Sequence, residues 1–208
     1  VCAAVFDRTG KRGILEVSGS DRVRWLDGMI SGDVEAIVTA AAEGSPETGC
    51  YATLLTNRGA IVADLHVGCV GDVLIIESLR SALPNIAAKL DRFIIADDVE
   101  LKDQSDASLA LGLEGPLASA ILEAALEGTS SPPVSEAWQA CKIAGQDVLI
   151  AGFGWSGETG YQLRMATEAR AAVFDALNAA AEAVDSSGAL AVGNEASLEI
   201  LRIEAGIP

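Results

Sequence analysis

Histidine is nearly absent from this 208-residue chain, with His66 the sole example. Four cysteines, Cys2, Cys50, Cys69 and Cys141, are scattered without a C-x-x-C pair. One histidine and four dispersed thiols complete no common zinc set, so no metal is expected, and the cysteines read as buried free thiols rather than a disulfide framework. His66, inside the run ADLHVGCV, reads as a structural strand residue. No apolar run approaches the roughly 18 residues that a membrane span requires. The opening VCAAVFDRTGKRG lacks the charged start and long apolar core of a signal peptide, which makes the cytoplasm the expected compartment. Basic side chains are also scarce: 14 Lys and Arg stand against 30 Asp and Glu, for a net charge of −16. That balance opposes a broad grip on a phosphate backbone, so nucleic acid is not expected as a partner. The acids read instead as a solvated surface.

Half of the residues are apolar, enough for a substantial core. Short segments rich in Val, Ile, Leu and Thr, namely AAVFD, GILEV, CYATLLT, AIVADLHVGCV and DVLIIES, are punctuated by Gly, Asp or Asn and predict strands. Helical spacing alternates with them. DRVRWLDGMI places Val23, Leu26 and Ile30 on one face behind Ser20 as N-cap, and ALPNIAAKLDRFI aligns Ile86, Leu90 and Phe93. TEARAAVFDALNAAAEAV predicts a helix opened by Thr167 or Glu168, and NEASLEILRIEAGIP one capped by Asn194 and stopped at Gly206 and Pro208. Compared with itself at an offset of 96 residues, the chain aligns ILEVSGSDRVRWLD from Ile14 with ALGLEGPLASAILE from Ala110. Val17 then meets Leu113, Gly19 meets Gly115, and Leu26 meets Leu122. A strand, a glycine turn and a helix recur in register, which predicts a duplicated α+β unit with a junction near the polar KDQSDAS.

The stretch from Gly152 to Gly157 has the G-x-G-x-x-G spacing of a dinucleotide-binding loop. Such a loop must lead into a helix whose N-terminus receives the pyrophosphate. Gly157 leads instead into ETGYQLRM, where Tyr161, Leu163 and Met165 alternate with Gln162 and Arg164 as in a strand. The glycines are therefore expected in a hairpin, with Glu158 as the acid on its bend.

Taken in order, SGETGYQL resembles the T-G-E-x-G-[FY] motif, and LRIEAGIP the L-R-x-E-A-G motif, of the tetrahydrofolate-binding domain shared by glycine-cleavage T-protein (GcvT, aminomethyltransferase) and its YgfZ-type relatives in iron–sulfur cluster maintenance. LEVSGSDRVRWLDGMISGDV, LLTNRGAIVADLHV, DDVEL and GLEGPLA are similar to further segments in the same order, so the resemblance covers nearly the whole chain. It implies an α+β fold of duplicated β-β-α-β type units in a two-layer α/β sandwich. Residues 1–208 would form one folate-binding domain of two interleaved halves, about 1–105 and 106–208, without the family's C-terminal barrel domain. The chain is expected to be a fragment of a longer protein.

The resemblance implies tetrahydrofolate, or a one-carbon derivative of it, as cofactor. A pterin edge presents an exocyclic amine and an adjacent ring N–H, which a carboxylate accepts together as a fork. Glu158 and Arg202 match the family's pterin-binding glutamate and arginine. Asp64 matches the aspartate beside the nitrogen that accepts the one-carbon unit, where it would act catalytically by stabilising developing positive charge. Tyr51, Leu74 and Ile76 match places that line the ring. In the T-protein pattern a second aspartate precedes this one, whereas here Ala63 takes its place, and this loss favours the YgfZ-type branch. The expected function is thus folate binding in support of iron–sulfur enzymes. The alternatives are an aminomethyltransferase that transfers a methylene group from a lipoyl carrier protein to tetrahydrofolate, and a structural domain that has lost folate. Because the folate tail is anionic and the chain strongly acidic, the expectation is either a local basic rim, from Arg22, Arg24 or Arg58, that receives the tail, or modest binding.

Overall fold

The computed structural model describes residues 3–128, 130–185 and 190–207, so Cys2 and Pro208 lie outside the described residues. In chain order the strands are β1 (Ala4–Asp7), β2 (Arg12–Ser18), β3 (Gly49–Leu55), β4 (Ile61–Val70), β5 (Val73–Leu79), β6 (Glu100–Asp103), β7 (Leu109–Glu114), β8 (Trp138–Ile143), β9 (Gln146–Ala151), β10 (Gly160–Met165) and β11 (Ala191–Gly193). The helices are α1 (Arg22–Asp27), α2 (Val34–Ala42), α3 (Leu83–Asp91), α4 (Ala118–Ala125), α5 (Arg170–Val184) and α6 (Glu195–Glu204). They divide into two compact units. The first comprises Val1–Thr9, Ser108–Ser135 and Gln139–Pro208, and the second Gly10–Ala107 with Glu136–Trp138.

The first unit is a mixed sheet in the order β11-β1-β7-β10-β9-β8. Alternation decides its faces. In β7, Leu109, Leu111 and Leu113 turn to one side, and in β10 Tyr161, Leu163 and Met165 do the same. There they meet Ile121 and Leu122 of α4, and Val173, Leu177 and Ala181 of α5. The spacing of those α5 residues is the i, i+4, i+8 stripe of a helix lying on a core. Gly112, Glu114, Gln162 and Arg164 take the other face, where the last three are buried despite their polarity.

In the second unit the order is β3-β4-β5-β2-β6, antiparallel throughout. Leu15, Val17, Leu65, Val67, Leu74 and Ile76 form one face and pack with Leu26, Val34, Ile37, Ile86 and Leu90 of the helices. The opposite face holds a buried ion pair, Arg12 Nε to Glu77 Oε1 at 3.2 Å, each side chain only 1% exposed. It also holds His66, whose Nδ1 lies 2.8 Å from Glu136 Oε2. Gly68 has no Cβ because the Trp138 indole occupies that space, with its Cγ 2.1 Å from where a Cβ would stand.

The repeat seen in the sequence is present in both units. β2 runs through Gly19 (φ +104°) into α1, and β7 through Gly115 (φ +136°) into α4. Val17, Leu26, Leu113 and Leu122 are all 0% exposed, each pair occupying matching core positions. Between the units, the boundary falls at Ala107 and Ser108, and the N-terminal residues join the later part of the chain because β1 pairs with β7. Local details depart from expectation. Ser20 does not cap α1, since its N–H and hydroxyl both donate to the Asp98 carboxylate, at 3.0 and 2.8 Å. Phe93 is half exposed because α3 ends at Asp91, before the next turn could carry it inward. α5 is preceded by a 3-10 turn at Thr167–Ala169, which makes Ala169 its N-cap. Helix α2, whose Asp33 side chain accepts from the Ala36 N–H, was not foreseen.

Removing one member of the buried ion pair takes a charged partner from a water-excluded place, so Glu77→Ala is expected to cost about 3–5 kcal/mol in urea denaturation, with Arg12→Met/Glu77→Leu costing less. The thiols of Cys50 and Cys141 are both pushed up to about 11, primarily by burial; for Cys50 the Glu136, Asp33 and Asp27 carboxylates add to it. At pH 8 only about one in a thousand would be thiolate. In timed alkylation read by peptide mass, both are expected to react about two orders of magnitude more slowly than an unperturbed cysteine.

Candidate functional site

β9 and β10 form an antiparallel hairpin, with Gln162 opposite Ala151 and Met165 opposite Val148. The glycine-rich stretch is its loop, and a strand comes after it rather than a helix, so it is no dinucleotide cradle. Packing explains each glycine. A Cβ on Gly152 would fall 2.1 Å from the Val134 carbonyl, and one on Gly154 2.7 Å from Gly160 Cα. Gly157 has φ +80°, which disfavours any side chain, and its Cβ would come within 2.7 Å of Ala205 Cβ. Trp155 folds inward, 5% exposed, beneath Arg8, whose guanidinium carbon lies 5.8 Å from the indole centroid. Glu158 is the exception on this loop. It is exposed, and its carboxylate has no hydrogen-bond or ion-pair partner among the described residues.

Beside Glu158 lies a cavity of about 480 Å³, wholly within the first unit. Its walls include Phe6 and Pro116, Glu114 behind the loop, and Leu201, Glu204 and Ala205 of the α6 end. Helix α6 is fixed at its start by a capping box, in which the Asn194 side chain accepts from the Ser197 N–H and the Ser197 hydroxyl from the Asn194 N–H. Arg8 Nη1 adds an ion pair to Glu195 at 2.8 Å.

Arg202, expected at the pterin, is held differently. Its Nε and Nη2 make a fork to Glu199, at 2.9 and 2.7 Å, and Nη1 donates to the Ile207 carbonyl. These are the ordinary duties of an arginine in a last helical turn. Hydrogen bonding from Arg202 holds the Glu199 carboxyl below its ordinary range. Arg202 does not line the cavity, although its neighbours Leu201 and Glu204 do.

The other predicted residues belong to the second unit, and strand parity sorts them. Tyr51 pairs with His66 and Thr53 with Asp64, so Tyr51, Asp64 and His66 share one face. The Tyr51 ring meets His66 edge to face at 5.3 Å. Burial, then the Asp64 and Glu136 carboxylates, raise the Tyr51 phenol above its usual value. Asp64 is half-buried, with no side-chain partner among the described residues. Leu74 and Ile76 lie on the opposite face, both 0% exposed in the helix-covered core. They pack the unit and have no surface to offer a ring alongside Asp64. Among the expected rim residues, Arg22 donates to the Gly19 carbonyl and Arg24 is paired with Asp97 and Asp21. Arg58 is exposed on the β3–β4 turn. A second cavity of about 540 Å³, lined by Met29, Ile30, Leu54, Lys89 and Phe93 among others, includes none of the predicted residues.

Two features were missed in the sequence. Glu114 is 2% exposed, and its Oε2 accepts from the N–H groups of Trp155 and Ser156, at 2.9 and 2.6 Å. An acid ending the alternating run LALGLE, on the side of the glycines, was the available signal. Glu136 left none: it adopts φ 61° and sends its carboxylate to His66, 70 residues earlier.

Known proteins resemble this chain along its whole length. It is 30% identical to an aminomethyltransferase of Cutibacterium acnes over 99% of the chain, 28% to one of Lysinibacillus sphaericus over 99%, and 29% to one of Thermus thermophilus over 98%. The chain spans about half the length of these relatives, 53–54%. The crystal structure of glycine cleavage system aminomethyltransferase T from Bartonella henselae superposes with a TM-score of 0.78 at 21% identity, covering 100% of this chain and 52% of that one. A chain of heterotetrameric sarcosine oxidase from Corynebacterium shares the fold at TM-score 0.58 and 16% identity, over 86% of this chain and 83% of that one. Residues 2–208 match the family described as the GCVT N-terminal domain, and the chain belongs to that family.

Proposed function

We propose that this chain is the tetrahydrofolate-binding part of an aminomethyltransferase, which passes a methylene group from a lipoyl-bound aminomethyl carrier to tetrahydrofolate and releases ammonia. The observation that carries this reading is Glu158, a carboxylate without a partner among the described residues, on a glycine bend at a cavity walled by Phe6, Pro116 and Leu201 as well as by Glu114 and Glu204. A flat ring with apolar faces and a row of N–H donors along one edge fits such a place. The carboxylate would take the donors as a fork. In the second unit, Asp64 is assigned to the transfer step, as an acid that stabilises positive charge on the accepting nitrogen, and Tyr51 stands on its face of the sheet. Arg202 serves by fixing the end of α6, whose neighbouring side chains wall the cavity.

The YgfZ-type reading rested first on the missing acid at position 63. Ala63 is 8% exposed and packs in the core, one residue and therefore one face away from Asp64. An acid there would not stand beside Asp64, so its loss takes nothing from the face that bears Asp64. With that argument gone, the names of the relatives favour the aminomethyltransferase, and iron–sulfur enzymes are left without a supporting observation.

Calorimetric titration with tetrahydrofolate tests the reading. Glu158→Gln is expected to preserve the fold and weaken binding by about 1–3 kcal/mol, because the ring edge loses a charged acceptor. Unchanged affinity would remove Glu158 from the site. Asp64→Asn is expected to lower methylene transfer far more than binding, and equal losses would make Asp64 a binding residue only.

A further inference from the structure

We propose that Glu114 is the positioning residue that holds the glycine loop so that Glu158 faces the cavity. The inference rests on the reading of Glu158 as a ligand-binding carboxylate, but its mechanical half stands on the geometry of the first unit alone. Glu114 closes β7, where Ala4 of β1 pairs with it on one side and Gly160 of β10 on the other. Its side chain leaves the sheet on the face away from α4 and α5. One oxygen, Oε2, receives two successive backbone N–H groups of the loop, from Trp155 and Ser156. Bonds from N–H groups to an ionised, water-excluded acceptor are about twice as strong as neutral ones. The next residue makes a third stitch, since the Gly115 N–H donates to the Thr159 carbonyl at 2.9 Å. Glu158 therefore lies on a short span fastened on both sides.

Two glycines clear the path for this carboxylate. A Cβ on Gly154 would stand 3.1 Å from Glu114 Oε2, and one on Gly160 3.2 Å from Glu114 Cγ. Gly154 of the loop and Gly160 at the start of β10 thus leave room for Glu114, which gives Gly154 a purpose unrelated to nucleotide phosphates. The other oxygen, Oε1, is buried with no hydrogen-bond partner among the described residues. A buried acceptor left unsatisfied costs about 1–3 kcal/mol, so a site shaped only for stability has little reason to retain an acid here. What the acid supplies is a loop conformation.

Hydrogen exchange at the Trp155 and Ser156 amides, measured together with tetrahydrofolate titration, tests the proposal on the unmodified chain, Glu114→Ala and Glu114→Gln. In Glu114→Ala both amides are expected to exchange at least tenfold faster and tetrahydrofolate to bind at least tenfold more weakly, with Glu158 itself unchanged. Glu114→Gln keeps an acceptor oxygen and is expected to restore most of both. If Glu114→Ala does not fold, Glu114→Asp, which withdraws the carboxylate by one methylene, is expected to show the same two losses in smaller measure. Unchanged amide exchange in the truncated variants would overturn the anchoring role. Faster exchange with undiminished affinity would overturn the link to Glu158. If the unmodified chain binds no tetrahydrofolate, the functional reading and with it that link fall, and amide exchange alone decides the anchor.

Discussion

Every strand sends successive side chains to opposite faces, and in each unit one face of the sheet carries the main apolar core against helices. Most of the molecule is a result of that constraint. The apolar residues of β7 and β10 in one unit, and of β2, β4 and β5 in the other, are claimed by the helices at every second position. The reverse faces keep a few apolar residues, Phe6 in one unit and Ile14 and Ile75 in the other, but they also gather the polar and charged ones: Glu114, Gln162 and Arg164 in one unit, Arg12, Asp64, His66 and Glu77 in the other. The residues with chemistry to offer are those the core could not use.

The same parity shows how far the sequence could be read. Strands and helices were legible because their periods, two and 3.6 residues, are written in the spacing of Val, Leu and Ile. The repeat was legible because Val17 and Leu113, or Leu26 and Leu122, do the same work in two copies. Glu158 was legible as an acid set apart on a glycine bend. The burial of Leu74 and Ile76 beneath helices was not legible, because an apolar residue in a strand looks alike whether it faces a ligand or a helix. Arg202 carries a similar ambiguity. Nothing local to NEASLEILRIEAGIP says that its guanidinium donates to the Ile207 carbonyl, a contact that exists only in three dimensions.

Long-range polar partners were the least visible. Glu114 and the loop that it holds are about 40 residues apart, at 41 and 42 for its two bonds. Glu136 and His66 are farther apart still, and Glu136 reaches its partner from a backbone conformation that side chains rarely adopt. Periodicity carries no information about such pairs. They exist only once the elements are packed, so no local pattern announces them.

The meeting of Gly157 with Ala205 has a consequence of its own. The loop and the end of α6 touch through a hydrogen and a methyl group, in a gap that would leave an added carbon 2.7 Å from its neighbour. The aperture beside Glu158 is thus gauged by the two smallest residues available, like a door resting on a thin shim. One extra carbon on either side would prop the loop outward, changing the bore of the cavity and carrying Glu158 with it.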